Sequence, residues 1–417
     1  MAEKYRRVLL VSYYFPPLGM GGVGRPLGLF KYLPRFGFDV TVLTVKKILY
    51  PEYDHSLLED REDPRIVRTG SYDPARMLYL LGVRTGREGW GRGRARSRYF
   101  PDSKIGWKRF VVRKAKRLIA ESKFDAIITT SPPITAHLAG LELKDKFGLP
   151  WIADFRDLWF SRPIEEVYGE IKLVEKAREL KDRILKAADE IVVVNNDIKK
   201  YLGKGTVITN GADPGLIDVW RSAKTHPINK FMIGVLGTIN NLCPIEPLFK
   251  ALAILGNEKG PTDKEIYIIH AGHYDKSMMA DLQAKYGLHD RVDLKGYLPR
   301  KEAIKTLAEA DLLYLGVGGF AGPDILPGRI FDYLISGKPI LGVAPEKSDA
   351  AKLIREYDQG KVIAADDLEG IASFIKGFRK DNGAEHNFAV KEAADLTRYT
   401  SLAMAEKYAD ILGHIIR

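Results

Sequence analysis

Short apolar runs alternate with segments whose apolar residues recur at helical spacing along almost the whole chain. Residues 8–13 read as a buried strand, and residues 25–33 as the helix after it, with Leu27, Phe30, Tyr32 and Leu33 to one side. Further strands are predicted at 39–44, 126–129, 151–153 and 191–194, with helices at 107–122, 134–147 and 172–188. A turn cluster, Asn210-Gly211-Ala212-Asp213-Pro214, interrupts the pattern, which then restarts. Strands follow at 231–236, 265–270, 292–294, 312–315 and 340–343, with amphipathic helices between them. Strands that alternate with helices build parallel sheets. The fold class predicted is α/β, with two doubly wound, Rossmann-like domains. The boundaries predicted are 1–213 and 214–396, with 397–417 as a terminal helix on which Leu402, Ala405, Tyr408, Ile411, Leu412 and Ile415 keep helical spacing.

Composition narrows the class. With 45% hydrophobic and 29% charged residues and a mean hydropathy of −0.18, the 417-residue chain is globular rather than disordered or fibrous. Cys243 is the single cysteine, which excludes a disulfide framework or a cysteine-built zinc site within one chain and fits a reducing compartment. The apolar stretch at 8–15 is too short for a secretory signal and ends at Pro16-Pro17. No segment reaches the roughly 20 apolar residues of a membrane span. A cytoplasmic protein is expected. Residues 1–200 carry a net charge of +12 and residues 201–417 a net −1. The stretch 84–117 alone holds 13 basic and two acidic residues. Its first part, 84–100, has no clear period and reads as a loop.

Three constellations are candidates for chemistry. The turn from Pro16 to Arg25 contains Gly19, Gly21, Gly22 and Gly24 between strand and helix, where backbone N–H groups can bind an anion. Strand two ends without an acidic residue, which argues against NAD. A plain flexible turn is the competing reading. The second is Asp324 to Leu334, where Pro327-Gly328 opens a helix, Arg329 adds a charge at its start, and Asp332 lies one turn in. Two acids flanking a phosphate-binding helix end suit a sugar nucleotide; a turn cap at Asp324 and a solvated Asp332 is the alternative. The third is Trp151 to Trp159, at a strand's carboxyl end, where Asp154 is a candidate catalytic carboxylate and Arg156 a candidate phosphate partner. A local Arg156–Asp157 pair is the simpler alternative. No Asp-x-Asp, H-E-x-x-H or G-x-S-x-G occurs, and His270 and His273 are the only close histidine pair. No metal or cofactor is expected, although the two histidines sit at a strand end suited to ligand contact.

Taken in order, Val11 to Pro17 with its glycine turn, Ser131-Pro132-Pro133, Pro150 to Asp157, Asn210 to Asp213 and Pro327 to Leu334 resemble the family-four glycosyltransferases. That resemblance covers nearly the whole chain. It implies the GT-B fold, two Rossmann-like domains facing across a cleft, and metal-independent transfer with retention from a nucleoside diphosphate sugar. The family's Glu-x7-Glu motif falls on Asp324 and Asp332. By resemblance Asp332 holds the donor ribose, Asp324 approaches the transferred sugar, Gly328 and Arg329 face the diphosphate, and Gly21 and Gly22 close the other side. Asp154 falls near the reacting carbon, where many members have a histidine, and the terminal helix returns to the first domain. Many members also carry an Arg and a Lys after the first strand of the second domain; residues 237–244 have no basic residue here. Charge must then come from Arg329 or Arg25.

The expected function is transfer of a hexose or related sugar to a hydroxyl of a glycan or lipid-linked acceptor, in cell-surface polysaccharide or glycolipid synthesis. A nucleotide-sugar epimerase on the same fold and a non-catalytic sugar-nucleotide-binding homologue are the alternatives. The basic segment 84–117, with Trp107, Phe110 and Val111-Val112 among its cations, is expected to meet an anionic membrane surface at the inner face of the cell membrane; a half-buried domain helix competes with that. No nucleic-acid module accompanies the charge.

Overall fold

The computed structural model describes residues 5–58, 63–83, 99–159, 164–168, 170–222, 230–256, 264–318, 326–381 and 397–416. Two compact units divide the chain, one made of Met1–Gly211 with Ser401–Arg417 and the other of Ala212–Thr400.

The first unit is built on a seven-stranded sheet of β1 (Arg6–Val11), β2 (Phe38–Val45), β3 (Ile66–Thr69), β4 (Ala126–Ser131), β5 (Trp151–Phe155), β6 (Glu190–Val193) and β7 (Thr206–Val207). Its spatial order is β3-β2-β1-β4-β5-β6-β7, and every pairing is parallel. Both faces are covered, so the strands read as continuous apolar runs rather than alternating ones. In β1, Leu9 and Val11 enter a core with Trp107, Ile127 and Trp151, whereas Val8 and Leu10 enter another with Leu29, Ile128, Met404 and Tyr408. α3 (Ile105–Glu121) and α4 (Thr135–Phe147) cover the first face; α1 (Gly24–Tyr32) and the terminal helix Ser401–Ile415 cover the second. α1 meets the terminal helix at Gly28, where a Cβ would stand 2.8 Å from that of Ser401.

The second unit repeats the plan. Its sheet comprises β8 (Lys230–Leu236), β9 (Glu265–Ala271), β10 (Val292–Leu294), β11 (Leu312–Gly316), β12 (Ile340–Val343) and β13 (Gly360–Ile363), in the order β10-β9-β8-β11-β12-β13, again all parallel. Two parallel sheets in Rossmann order, clothed by helices, make the α/β class and the two Rossmann-like domains firm.

The structure adds elements that the pattern did not disclose. β3, β7 and β13 are edge strands of four residues or fewer. α2 (Pro74–Leu80) is a short helix opened by Asp73, whose side chain accepts from Arg76 N, and by Pro74 at its first position. Among the described residues, no helix is long and apolar enough to cross a membrane.

Candidate functional site

In open α/β sheets, ligands bind beyond the carboxyl ends of the strands where strand order reverses. That point lies between β1 and β4 in one unit and between β8 and β11 in the other.

In the first unit, β1 runs into the glycine turn. Gly19 N donates to Glu52 O (2.9 Å) and Asp54 N to Pro17 O (2.8 Å), which fastens the turn to the loop after β2. Met20 then takes φ 68° and ψ −179°, a region that side-chain-bearing residues rarely occupy and that costs of order 1–3 kcal/mol. A one-turn 3₁₀ helix, Gly21–Val23, leads into α1. Gly21 is exposed and Gly22 half-buried. A Cβ on Gly21 or Gly24 would meet nothing within 4 Å, so packing within the chain does not require glycine at either position. Arg156 supports the turn from β5: Nε donates to Ser131 O (3.0 Å), Nη2 to Pro132 O (3.2 Å) and Nη1 to Gly22 O. Its guanidinium is thus committed to three carbonyls, and it positions the turn rather than presenting an open fork to a phosphate.

Arg25 and Asp154 have tasks other than those expected. Asp154 is fully buried at the end of β5, and Arg25 is 4% exposed at the start of α1. Arg25 Nε donates to both carboxylate oxygens (3.1 and 3.0 Å) and Nη2 to Oδ1 (2.9 Å), while Thr130 Oγ1 donates to Oδ2 at 2.7 Å. The remaining Arg25 donors reach Ile208 O, Thr209 O and the Tyr408 hydroxyl of the terminal helix. Burial alone would lower the arginine's pKa, but Asp154 outweighs it and keeps the guanidinium charged. A carboxylate so enclosed and so fully engaged does not reach a substrate carbon, and Arg25 has no charge left for a diphosphate. The pair ties α1, β5, the segment after β7 and the terminal helix together.

In the second unit the helix Arg329–Ser336 starts at exposed Gly328 with no side-chain cap, and Ile330 N and Phe331 N turn back to Pro327 O (3.0 Å) and Gly328 O (3.3 Å). Tyr333 anchors it to the switch point, accepting from Leu236 N (2.8 Å) and donating to Tyr314 O (3.2 Å). Half-buried Arg329 turns back onto the end of β8, where Nη2 donates to Thr238 O (2.9 Å). Gly237, at φ +85°, lets the guanidinium lie against the backbone, since a Cβ there would stand 3.4 Å from Arg329 Cζ. The cation that residues 237–244 lack therefore arrives from the helix. The adjoining loops are drawn together by glycines: Gly272 adopts φ +156°, and a Cβ on it would fall 2.2 Å from Gly237 O.

His270 underlies this corner. It is fully buried and bonds Gly237 O through Nε2 (2.8 Å), so Nε2 carries the proton, while Nδ1 has no hydrogen-bond partner. Burial pushes its pKa down to about 4. His273 stacks on Tyr297 with centroids 5.4 Å apart. Asp332 is 1% exposed, and Arg300 Nη2 holds its Oδ1 at 2.5 Å. Burial raises the Asp332 pKa, and Arg300 opposes that rise. The alternative of a solvated helix acid therefore falls: Asp332 is a buried, paired carboxylate. Asp324 lies outside the described residues.

The first unit also contains a cavity of about 290 Å³ lined by Lys47, Tyr50, Tyr53, His55, Tyr79 and Val83, among others. Tyr50 borders both the cavity and the turn, with its hydroxyl 3.4 Å from Gly19 O.

These features meet known proteins at the level of family and fold. Residues 21–208 match the family described as "Glycosyl transferase 4-like domain". No curated protein matches the sequence. Sucrose-phosphate synthase from Thermosynechococcus elongatus is similar at 17% identity and TM-score 0.67, over 98% of each chain. HepE from Anabaena, solved with UDP and glucose, has 15% identity and TM-score 0.63 over 98% of this chain and 100% of its own. A proposed UDP-N-acetylglucosamine 2-epimerase from Listeria monocytogenes has 15% identity and TM-score 0.55, over 98% of this chain and 96% of its own. The fold is that of GT-B glycosyltransferases, as the motifs implied.

The matched residues 21–208 include Gly21, Gly22 and Gly24 of the glycine turn, β4, β5 and the Arg25–Asp154 pair. Its basic helix α3 is a domain helix: Trp107, Val111 and Val112 are core residues, so they cannot form a membrane-inserted face. The structure thus brings Gly21, Gly22 and Arg156 together in the first unit and, separately, Gly328, Arg329 and Asp332 together in the second. Arg300, Tyr333, Gly237 and the cavity tyrosines escaped the sequence reading because they act through long-range contacts. The rule that a buried acid needs a partner points toward Arg300 only after Asp332 is known to be buried.

Proposed function

We propose that the protein is a glycosyltransferase that moves a hexose or related sugar, with retention, from a nucleoside diphosphate sugar to a hydroxyl of a glycan or lipid-linked acceptor, in cell-surface polysaccharide or glycolipid synthesis. Arg329, held on Gly237 and Thr238 beside an uncapped helix start, carries the reading. A departing diphosphate needs preorganised positive charge, and a guanidinium with helix N–H groups supplies it without a resident metal. HepE with UDP and glucose shows that a protein of this fold accommodates such a ligand. Asp332, one turn further on and beside Arg300, holds the donor ribose, and Asp324 approaches the transferred sugar. Gly21 and Gly22, whose bare Cα atoms packing does not demand, admit the donor's close approach. The tyrosine-lined cavity beside the turn takes a sugar ring of the acceptor, because flat rings with hydroxyls at their edges suit both the faces and the rim of a sugar.

A thermal-shift screen against UDP-, GDP-, dTDP- and ADP-sugars, with NAD as control, tests the donor site, since a ligand of the native state raises its stability. One sugar-nucleotide class is expected to shift the transition and NAD is not. Arg329→Ala should weaken that binding about 10- to 100-fold, as expected for one charge-assisted contact, and Asp332→Ala should weaken it too. An unshifted transition with every donor would defeat the reading. The likeness to the Listeria epimerase favours one alternative, nucleotide-sugar epimerisation. Product analysis separates the two: a transferase releases free nucleoside diphosphate in the presence of acceptor, and an epimerase returns an altered nucleotide sugar.

A further inference from the structure

Nine large apolar side chains are exposed among the described residues, and five of them, Tyr72, Met77, Leu80, Leu81 and Val83, fall within twelve consecutive positions in and around α2. Leu81 is 77% exposed, Tyr72 63% and Leu80 58%. A soluble surface scatters such residues singly, and clustering marks a contact site. The surroundings say what the contact is. Arg76 Nη1 donates to Lys47 O and Leu49 N donates to Ala75 O, so the loop with exposed Lys46 and Lys47 is fastened to the start of α2. On the other flank, the Tyr72 ring meets Phe110 of α3 edge-on at 4.7 Å, and Tyr72 N donates to Gly106 O (3.2 Å). α3 presents Arg109, Arg113 and Arg117 to solvent at a spacing of four, along one stripe, and residues 103–120 contain no acid. Lys108 and Lys116 are spent on Glu142, and Lys104 on Asp73. The one acid between 64 and 83, Asp73, is buried.

An apolar ridge flanked by exposed cations complements an anionic bilayer, whose headgroups attract the cations while its acyl boundary takes the leucines. We infer that α2 and its flanks are a docking surface for anionic lipid, with Leu80 and Leu81 inserted and Lys46, Lys47, Arg109 and Arg113 at the headgroups. The surface differs from the apolar face of α3 expected from sequence, which is core. It is independent of the proposed sugar transfer, although Tyr79 and Val83 also line the tyrosine cavity and would bring that cavity to the membrane.

Co-sedimentation of the full chain with phosphatidylcholine vesicles, with and without phosphatidylglycerol, tests this. The protein should bind only the anionic vesicles, and less as salt rises. Leu80→Ser/Leu81→Ser and Arg109→Glu/Arg113→Glu should each lower partitioning at least about tenfold, with the thermal transition unchanged because all four side chains are exposed. Failure of the wild type to bind anionic vesicles overturns the inference, as does binding that survives both double substitutions. A dimer in size-exclusion chromatography that Leu80→Ser/Leu81→Ser dissociates, without vesicle binding, assigns the ridge to a second copy instead.

Discussion

Arg25 gives up its hydration on folding and receives in exchange the Asp154 carboxylate, two backbone carbonyls and the Tyr408 hydroxyl. The arrangement is stable only as a whole, because a lone charge left in that position has neither water nor counter-ion. Arg25→Met alone should therefore cost about 3–5 kcal/mol, and Asp154→Leu a similar amount. The double substitution should cost less than the two losses together, since it strands no charge. Urea unfolding of the three variants measures this. A single-substitution loss under about 1 kcal/mol would mean that water reaches the pair. Arg329 bears the same charge, and among the described residues its Nη2 donates to Thr238 O rather than to a buried carboxylate, which is why the donor role is proposed for it. From sequence alone the two arginines look alike, each at a helix start after a glycine-bearing loop. What distinguishes them is a partner 129 positions away for Arg25 and a bare glycine backbone for Arg329.

At the scale of elements, the contact between α1 and the terminal helix depends on a missing side chain. A Cβ at position 28 would stand 2.8 Å from Ser401 Cβ and 3.0 Å from Met404 Cε. Met404 can swing away, but Ser401 sits at the start of its helix and cannot. Gly28→Val should therefore destabilise the first unit by about 1–3 kcal/mol and make the terminal helix an early site of proteolysis. Adding Ser401→Gly should restore part of the loss, and no recovery would mean that the strain lies elsewhere. The central strands and long helices were readable because parallel sheets covered on both faces leave unbroken apolar runs, as in Val8 to Val11. The edge strands β3, β7 and β13 were not recognised as strands, since two to four mostly half-buried residues give little pattern, although β10, equally short, was read at 292–294. α2 escaped for another reason: Met77 and Leu80 are exposed and none of its residues is fully buried, so no clear stripe points inward to announce it. The motif residues were legible as positions, whereas their roles depended on burial, which reassigned Arg25, Asp154 and Arg156 and paired Asp332 with Arg300.

Across the whole molecule, each unit buries one histidine behind a switch point. His137 lies in the first, bonded to Thr129 Oγ1 at 2.7 Å, and His270 in the second. Burial pushes their pKa values down to about 3 and about 4, against roughly 6.5 in an unfolded chain. Both imidazoles are neutral in the fold, so between those limits the unfolded chain binds more protons than the native one. Stability from these groups is thus complete above about pH 6.5 and is lost as the pH falls toward 4, with a slope of at most about 1.4 kcal/mol per pH unit for each histidine. His270→Gln should flatten the pH dependence of the second unit alone, because an amide that can still donate to Gly237 O does not titrate. Urea unfolding at about pH 7.5 and about pH 5 reads the difference. The proposed donor site adjoins the same residue: the proton His270 would gain on the acid side lies beside Arg329, which already lowers the imidazole's pKa by repulsion. If His270→Gln instead leaves the wild-type pH slope intact, the buried, neutral imidazole is not what holds the Gly237 corner, and its unpartnered Nδ1 must be reached by water.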